Sequence, residues 1–147
     1  MSDQMRKAEA FRALHTREKP LLLPNPWDVG SAKLMASLGF EALATTSLGA
    51  SLMLGTTIAT AETVLENCQD ICAATDLPIN ADLENCFADA PEDAAQMIAQ
   101  ACKVGAVGGS IEDATGDRSA PIYDLPWLWT GCAQRPKQRM LSRSPLP

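Results

Sequence analysis

The sequence predicts an α/β fold in which short parallel strands alternate with helices. Two apolar runs carry this first: Leu77-Pro-Ile-Asn-Ala-Asp82 and Val107-Gly-Gly-Ser-Ile-Glu112 each follow a helical pattern and each end in an acid. Second, segments of helical period separate four short apolar runs, as parallel βαβ units require. Third, Gly39 and Gly105 stand where helices should stop.

Taken in order, residues 3–16 place Met5, Ala8, Phe11 and Leu14 at spacings of three, which predicts a leading amphipathic helix. Pro20 to Pro26 reads as a first strand cut off by prolines. Asp28 is positioned to cap a helix with Val29, Ala32, Leu34, Met35 and Leu38 on its inner face. Ala42 to Thr46 reads as a second strand running into Ser47-Leu48-Gly49. Residues 61–74 predict a helix burying Val64, Leu65, Cys68, Ile71 and Cys72. The strand Pro78 to Asp82 follows. Asp89 and Pro91 open a further helix with Ala94, Met97, Ile98, Ala101 and Cys102 inside, and a fourth strand ends at Glu112. Leu52 to Leu54, with Met53, is expected in the core, and Trp27 in packing.

The pattern stops at Asp124. All 18 acidic residues precede Leu125, whereas residues 125–147 hold four of the 12 basic residues and four of the ten prolines. The expected division is therefore a partial barrel over 1–124 and an aberrant basic tail over 125–147, without helical or strand period. One set of ordinary codons for that tail, read from its third base, encodes an Ala-rich amphipathic helix and the start of an apolar strand. This is the unit the pattern calls for next, so the tail is expected to come from a frameshifted or truncated gene. A natural basic tail is the alternative.

Composition narrows the function. A formal charge of −6 lacks the basic footprint of a nucleic-acid binder. No apolar run approaches the ~20 residues of a membrane span. The polar start offers no signal-peptide core, and five cysteines without a CxxC pair read as reduced, buried thiols of a cytoplasmic protein. His15 reads as a surface residue.

Chemistry is expected where strands end. In a (β/α) barrel the catalytic groups gather at the carboxyl face of the sheet. Asp82 and Glu112, with the amide oxygen of Asn80, would suit a hard divalent cation such as Mg2+ or Mn2+. The competing reading is that these acids cap helices or face water. Ser47 and Gly49 could equally form a tight turn, and Glu84 is given no catalytic role.

From Phe11 to Asp124 the chain resembles the N-terminal half of the isocitrate lyase/phosphoenolpyruvate mutase superfamily. The resemblance rests on Phe11-Arg-Ala-Leu-His15, Leu23-Pro-Asn-Pro-Trp-Asp28, Ala44-Thr-Thr-Ser-Leu-Gly49, Pro78-Ile-Asn-Ala-Asp-Leu-Glu-Asn85, Gly105-Ala-Val-Gly-Gly-Ser-Ile-Glu-Asp-Ala-Thr-Gly-Asp117 and Pro121-Ile-Tyr-Asp124. It implies the N-terminal half of a (β/α)8 TIM-type barrel, about four parallel strands alternating with helices. It also implies a Mg2+-dependent lyase or mutase that makes or breaks a C–C or P–C bond of a small 2-oxo acid or phosphonate. Asp82 and Glu112 match the family's metal-site acids. Asn80 stands where many members have a second aspartate. Ser47, with backbone amides through Gly49, matches the loop that holds the substrate's carboxylate or phosphonyl group. Ser47, Gly49 and Glu112 are thus the expected catalytic set. Full-length relatives are expected to be homo-oligomers.

The departures are specific. Ala50 to Thr60 lacks the family's acid, and Leu83 to Asp89 lacks the lysine and cysteine loop of the lyases, since Cys86 does not fit that motif. The expected substrate arginine would lie past Asp124. This chain is therefore expected to be inactive by itself. The alternative is a non-catalytic, oligomerising α/β fragment.

Overall fold

The structure is a computed structural model that describes residues 2–124. The expectations for the tail fall outside those residues. Among the described residues there are five helices and three strands: α1 (Asp3–Thr16), α2 (Val29–Ser37), β1 (Leu43–Ala44), α3 (Ser47–Met53), α4 (Ala61–Ala74), β2 (Ile79–Asp82), α5 (Pro91–Lys103) and β3 (Gly108–Ser110). The sheet is parallel throughout, in the order β1-β2-β3, with Ala44, Asn80 and Gly108 in one register layer.

Local signals explain most boundaries. Ser2 caps α1 by accepting from the Met5 amide, and Thr60 caps α4 by accepting from Thr63. Asp28 and Ser31 form a reciprocal capping box at α2, which satisfies two amide donors that a bare helix end would orphan. At the far end Gly39 takes φ +87°, a left-handed conformation that a side chain would resist. Asp89 does not cap α5. Its first turn begins at Pro91 without a side-chain cap, and Asp89 instead accepts from the Tyr123 hydroxyl.

Alternation along β2 sets the layers. Ile79 and Ala81 are buried under the helices, followed by Leu83, while Asn80 and Asp82 point to the opposite face. Under the helices, Leu43 and Ile79 pack with Ala32 and Ile71; Ala81 and Leu83 pack with Val64, Cys68, Ala94 and Met97. Each large apolar side chain buried there contributes about 1.5–3 kcal/mol. The helix side therefore carries most of the stability. On the other face, Phe11 of α1 covers Ala42 and Val107 at the amino ends of the strands. At the carboxyl ends Asp82 and Ser110 lie side by side.

Three further expectations need correction. The run from Pro20 to Pro26 is not a strand: three of its seven residues are prolines without an N–H to donate. It joins β1 through a bond from the Ala44 amide to the Pro24 carbonyl (3.1 Å) and through the Asn25 side chain. Leu34 and Leu38 are 60% and 67% exposed. Leu34 lies two residues from the buried Ala32, roughly 200° around a helix of ~3.6 residues per turn. Leu52, Met53 and Leu54 are also exposed, because α3 packs through its small residues Gly49, Ala50 and Ser51.

Gly108 marks the tightest approach in the sheet. A Cβ there would lie 2.5 Å from Phe11 Cε1 and 2.9 Å from Asn80 Oδ1. Gly108→Ala is expected to destabilise the fold by about 1–3 kcal/mol through overpacking. Urea unfolding checks this, and an unchanged midpoint would mean that Phe11 yields freely.

Candidate functional site

The carboxyl ends of β1 and β2 meet through one carboxylate. Asp82 Oδ2 accepts two bonds from Ser47, one from its amide and one from its hydroxyl, both 2.9 Å. Ser47 opens α3, which begins directly after β1 with Thr46 as N-cap. The short run between strand and helix delivers two Ser47 donors to the neighbouring strand's acid. Asp82 Oδ1 has a longer contact, 3.4 Å, from the Glu84 amide.

Beyond Asp82 the chain turns through three left-handed residues, Glu84 (φ 47°), Cys86 (φ 66°) and Phe87 (φ 54°). Such backbone is costly for side chains other than glycine, and here it is held by neighbours. The Cys86 amide reaches the Leu83 carbonyl (2.7 Å), and the Asn85 side chain accepts from Phe87 (2.9 Å). The turn presents the Glu84 carbonyl to the Glu112 amide at 2.7 Å, which ties the end of β3 to the end of β2.

Glu112 is therefore brought to Asp82. Glu112 is exposed, yet partial desolvation raises its carboxyl above the usual range, and the negative charges of Asp82, Glu84 and Asp113 raise it further. Asn80, one layer below, donates from Nδ2 to Ser110 Oγ (3.3 Å), with Oδ1 turned toward Gly108. Gly49 plays a different part. Its amide goes to Thr46 Oγ1 (3.2 Å), and a Cβ on it would lie 2.6 Å from Trp27 Cδ1, so its smallness admits the indole. Ser47 bonds Asp82, Glu112 lies near enough for the Asp82 charge to act on it, Asn80 stands on the same face of β2, and the Gly49 amide serves the helix cap.

Among the described residues, no three His, Cys, Asp or Glu side chains are arranged to hold a metal by themselves. The donors that do gather are all hard oxygens in a patch of mutually repelling carboxylates. They fit Mg2+, which is commonly held by one or two carboxylates with water and substrate filling the remaining positions. The sequence reading missed Thr45. It is 3% exposed, and its hydroxyl accepts the Asp82 amide at 2.9 Å. A β-branched hydroxyl residue at a strand end, two positions before the candidate serine, was the available signal.

The raised Glu112 carboxyl has a consequence for stability. The folded chain keeps this proton longer than the unfolded chain, so stability falls as pH rises from 4.5, the ordinary value, through the raised folded value. Glu112→Gln is expected to melt higher than the parent at pH 7 and level with it near pH 3. Scanning calorimetry at the two pH values checks this; a Gln variant that melts lower at pH 7 would contradict it.

The remaining predicted residues are ordinary. His15 is exposed, with Nδ1 2.8 Å from the Phe11 carbonyl oxygen. Cys68, Cys72 and Cys102 are free thiols. Among the described residues no helix is long and apolar enough to cross a membrane.

Known proteins share this fold. The family model for phosphoenolpyruvate phosphomutase matches residues 11–129. A Burkholderia cenocepacia protein described as a lyase/mutase is 48% identical, with a TM-score of 0.89 over 92% of this chain and 49% of its own. A second Burkholderia cenocepacia protein, described as a phosphonomutase, is 34% identical, with a TM-score of 0.84 over 91% of this chain and 54% of its own. Phosphonopyruvate hydrolase, solved with oxalate and Mg2+, shares the fold at 17% identity and a TM-score of 0.81, over 95% of this chain and 49% of its own. The chain thus spans about half the length of these proteins, as half of a (β/α)8 barrel would. On sequence and fold together, the chain belongs to the phosphoenolpyruvate phosphomutase family, within the isocitrate lyase/phosphoenolpyruvate mutase superfamily.

Proposed function

We propose that this chain carries the metal-binding half of a Mg2+-dependent lyase or mutase acting on a small 2-oxo acid or phosphonate. The observation that carries this reading is the Asp82 carboxylate, fixed by both Ser47 donors and placed beside a Glu112 carboxyl raised by partial desolvation and by its acidic neighbours. Asp82 and Glu112 would hold Mg2+ or Mn2+, and Asn80, whose Oδ1 faces Gly108, would add an oxygen only by turning its amide over. The cation supplies charge stabilisation where negative charge develops beside the oxo acid's carboxylate. Oxalate and Mg2+ in phosphonopyruvate hydrolase support the pairing of a small dianion with this cation.

The chain's own groups then have distinct tasks. Ser47 steadies Asp82 in the free protein, and its hydroxyl can turn to donate to a substrate carboxylate or phosphonyl oxygen. Trp27, packed over Gly49, keeps the start of α3 in place. The opposite wall, including a cationic group to hold the substrate's second anionic end, belongs to the half of the barrel that these residues do not span. Turnover therefore requires that half. The experiment is a Mn2+ titration of the chain and of Asp82→Ala: binding lost only in the variant supports the reading, and equal binding in both removes Asp82 from the site.

A second reading, a non-catalytic fragment that self-associates, is favoured by the exposure of Leu48, Leu52, Met53, Leu54 and Ile58 around α3. Exposed apolar side chains promote association where they form a contiguous patch. Sedimentation that finds a stable oligomer, together with no Mn2+ binding, would favour it.

A further inference from the structure

We infer that Thr45 is a positioning residue for the cation site, an inference that rests on the metal reading of Asp82. Along the β1–β2 ladder the Leu43 amide donates to the Pro78 carbonyl (3.1 Å) and the Thr45 amide to the Asn80 carbonyl (2.9 Å). In a parallel pair the next bond would run from the Asp82 amide to the Thr45 carbonyl. It does not: the Asp82 amide donates to Thr45 Oγ1 at 2.9 Å, and the Asn25 side chain reaches the Thr45 carbonyl at 3.4 Å.

The side chain thus stands in for its own carbonyl as ladder acceptor. This substitution has two effects. The backbone is free to leave the sheet at Thr46 and enter α3 at once, which brings the Ser47 amide and hydroxyl to Asp82 Oδ2. The Asp82 main chain is also held at a fixed height against β1. Asp82 is gripped at its amide by Thr45 and at one carboxylate oxygen by Ser47, so its other oxygen has a defined direction. Thr45 is buried, so water cannot readily replace the hydroxyl.

Partners that orient a metal ligand are typically worth about 10–100-fold in metal affinity. With Mn2+ as probe, Thr45→Val should weaken binding by about 10-fold, and Thr45→Ser, which keeps the acceptor, should bind like the parent. A purely structural threonine would lower stability without moving affinity. The double variant separates the two roles: with Asp82→Ala as background, Thr45→Val should still lower the melting temperature yet leave any residual Mn2+ binding unchanged. In the parent chain, amide exchange should find the Asp82 N–H protected, a measurement that holds even if Thr45→Val fails to fold. A Val variant with parent affinity, or fast exchange at Asp82, would overturn the role of Thr45 and leave the metal reading standing. Absence of Mn2+ binding by the parent would overturn both.

Discussion

Asp82→Ala is expected to abolish Mg2+ and Mn2+ binding by this chain. The Asp82 carboxylate is held by two donors of a neighbouring element, with both Ser47 bonds at 2.9 Å. Without it, Glu112 faces no second ordered carboxylate on β2. The variant should also lose about 1–3 kcal/mol, because the Ser47 amide and hydroxyl, in a residue only 6% exposed, lose their acceptor. Parent affinity should itself be weak: Asn80 supplies no charge, and Ala50 to Thr60 contains no acid. Calorimetry separates the effects, since Asp82→Asn can still accept from Ser47 and should recover stability while recovering little metal affinity. Tight binding by Asp82→Ala would place the cation elsewhere.

The second large effect is restoration of turnover. Residues 1–124 joined to the second half of the 48% identical Burkholderia protein should give a chain active with Mg2+ on oxaloacetate, a substituted malate or phosphonopyruvate. The 147-residue chain alone should show no turnover of any of them. A completed barrel would close both sheet edges and hold the substrate from two sides, a positioning effect large enough to separate activity from none. The activity should vanish with EDTA. Comparable turnover by the short chain would refute the need for the second half. A folded but inactive chimera would favour a binding or structural role.

Much of this was legible in the residues, for reasons that can be named. Where burial follows a strict period, as at Val64, Cys68 and Ile71 on α4, the helix and its inner face were readable over 61–74. The two strand-to-acid runs were readable because Asn80 and Asp82 share a face by the two-residue alternation of a strand. Short elements were harder. Apolar residues on α2 and α3 announce a core that these short helices do not bury: Ala32 is buried, while Leu34 and Leu48 face outward. Pro24 and Pro26 removed a strand that hydrophobicity alone suggested. The grip on Asp82 was half legible. The resemblance named Ser47 as a substrate group, but its bonds to Asp82, and the part of Thr45, depend on where the ladder breaks, which no local pattern encodes.

In the proposed site Asp82 and Glu112, at the carboxyl ends of adjacent strands, hold one divalent cation. The most direct test of this is paramagnetic broadening of backbone amide resonances by substoichiometric Mn2+. The account predicts selective broadening at Ser47, Asp82, Ser110 and Glu112, with little at Arg17 to Lys19 near the opposite end of the sheet. Weak broadening spread over exposed acids such as Glu62, Asp70 and Glu92, with none centred on Asp82, would contradict it.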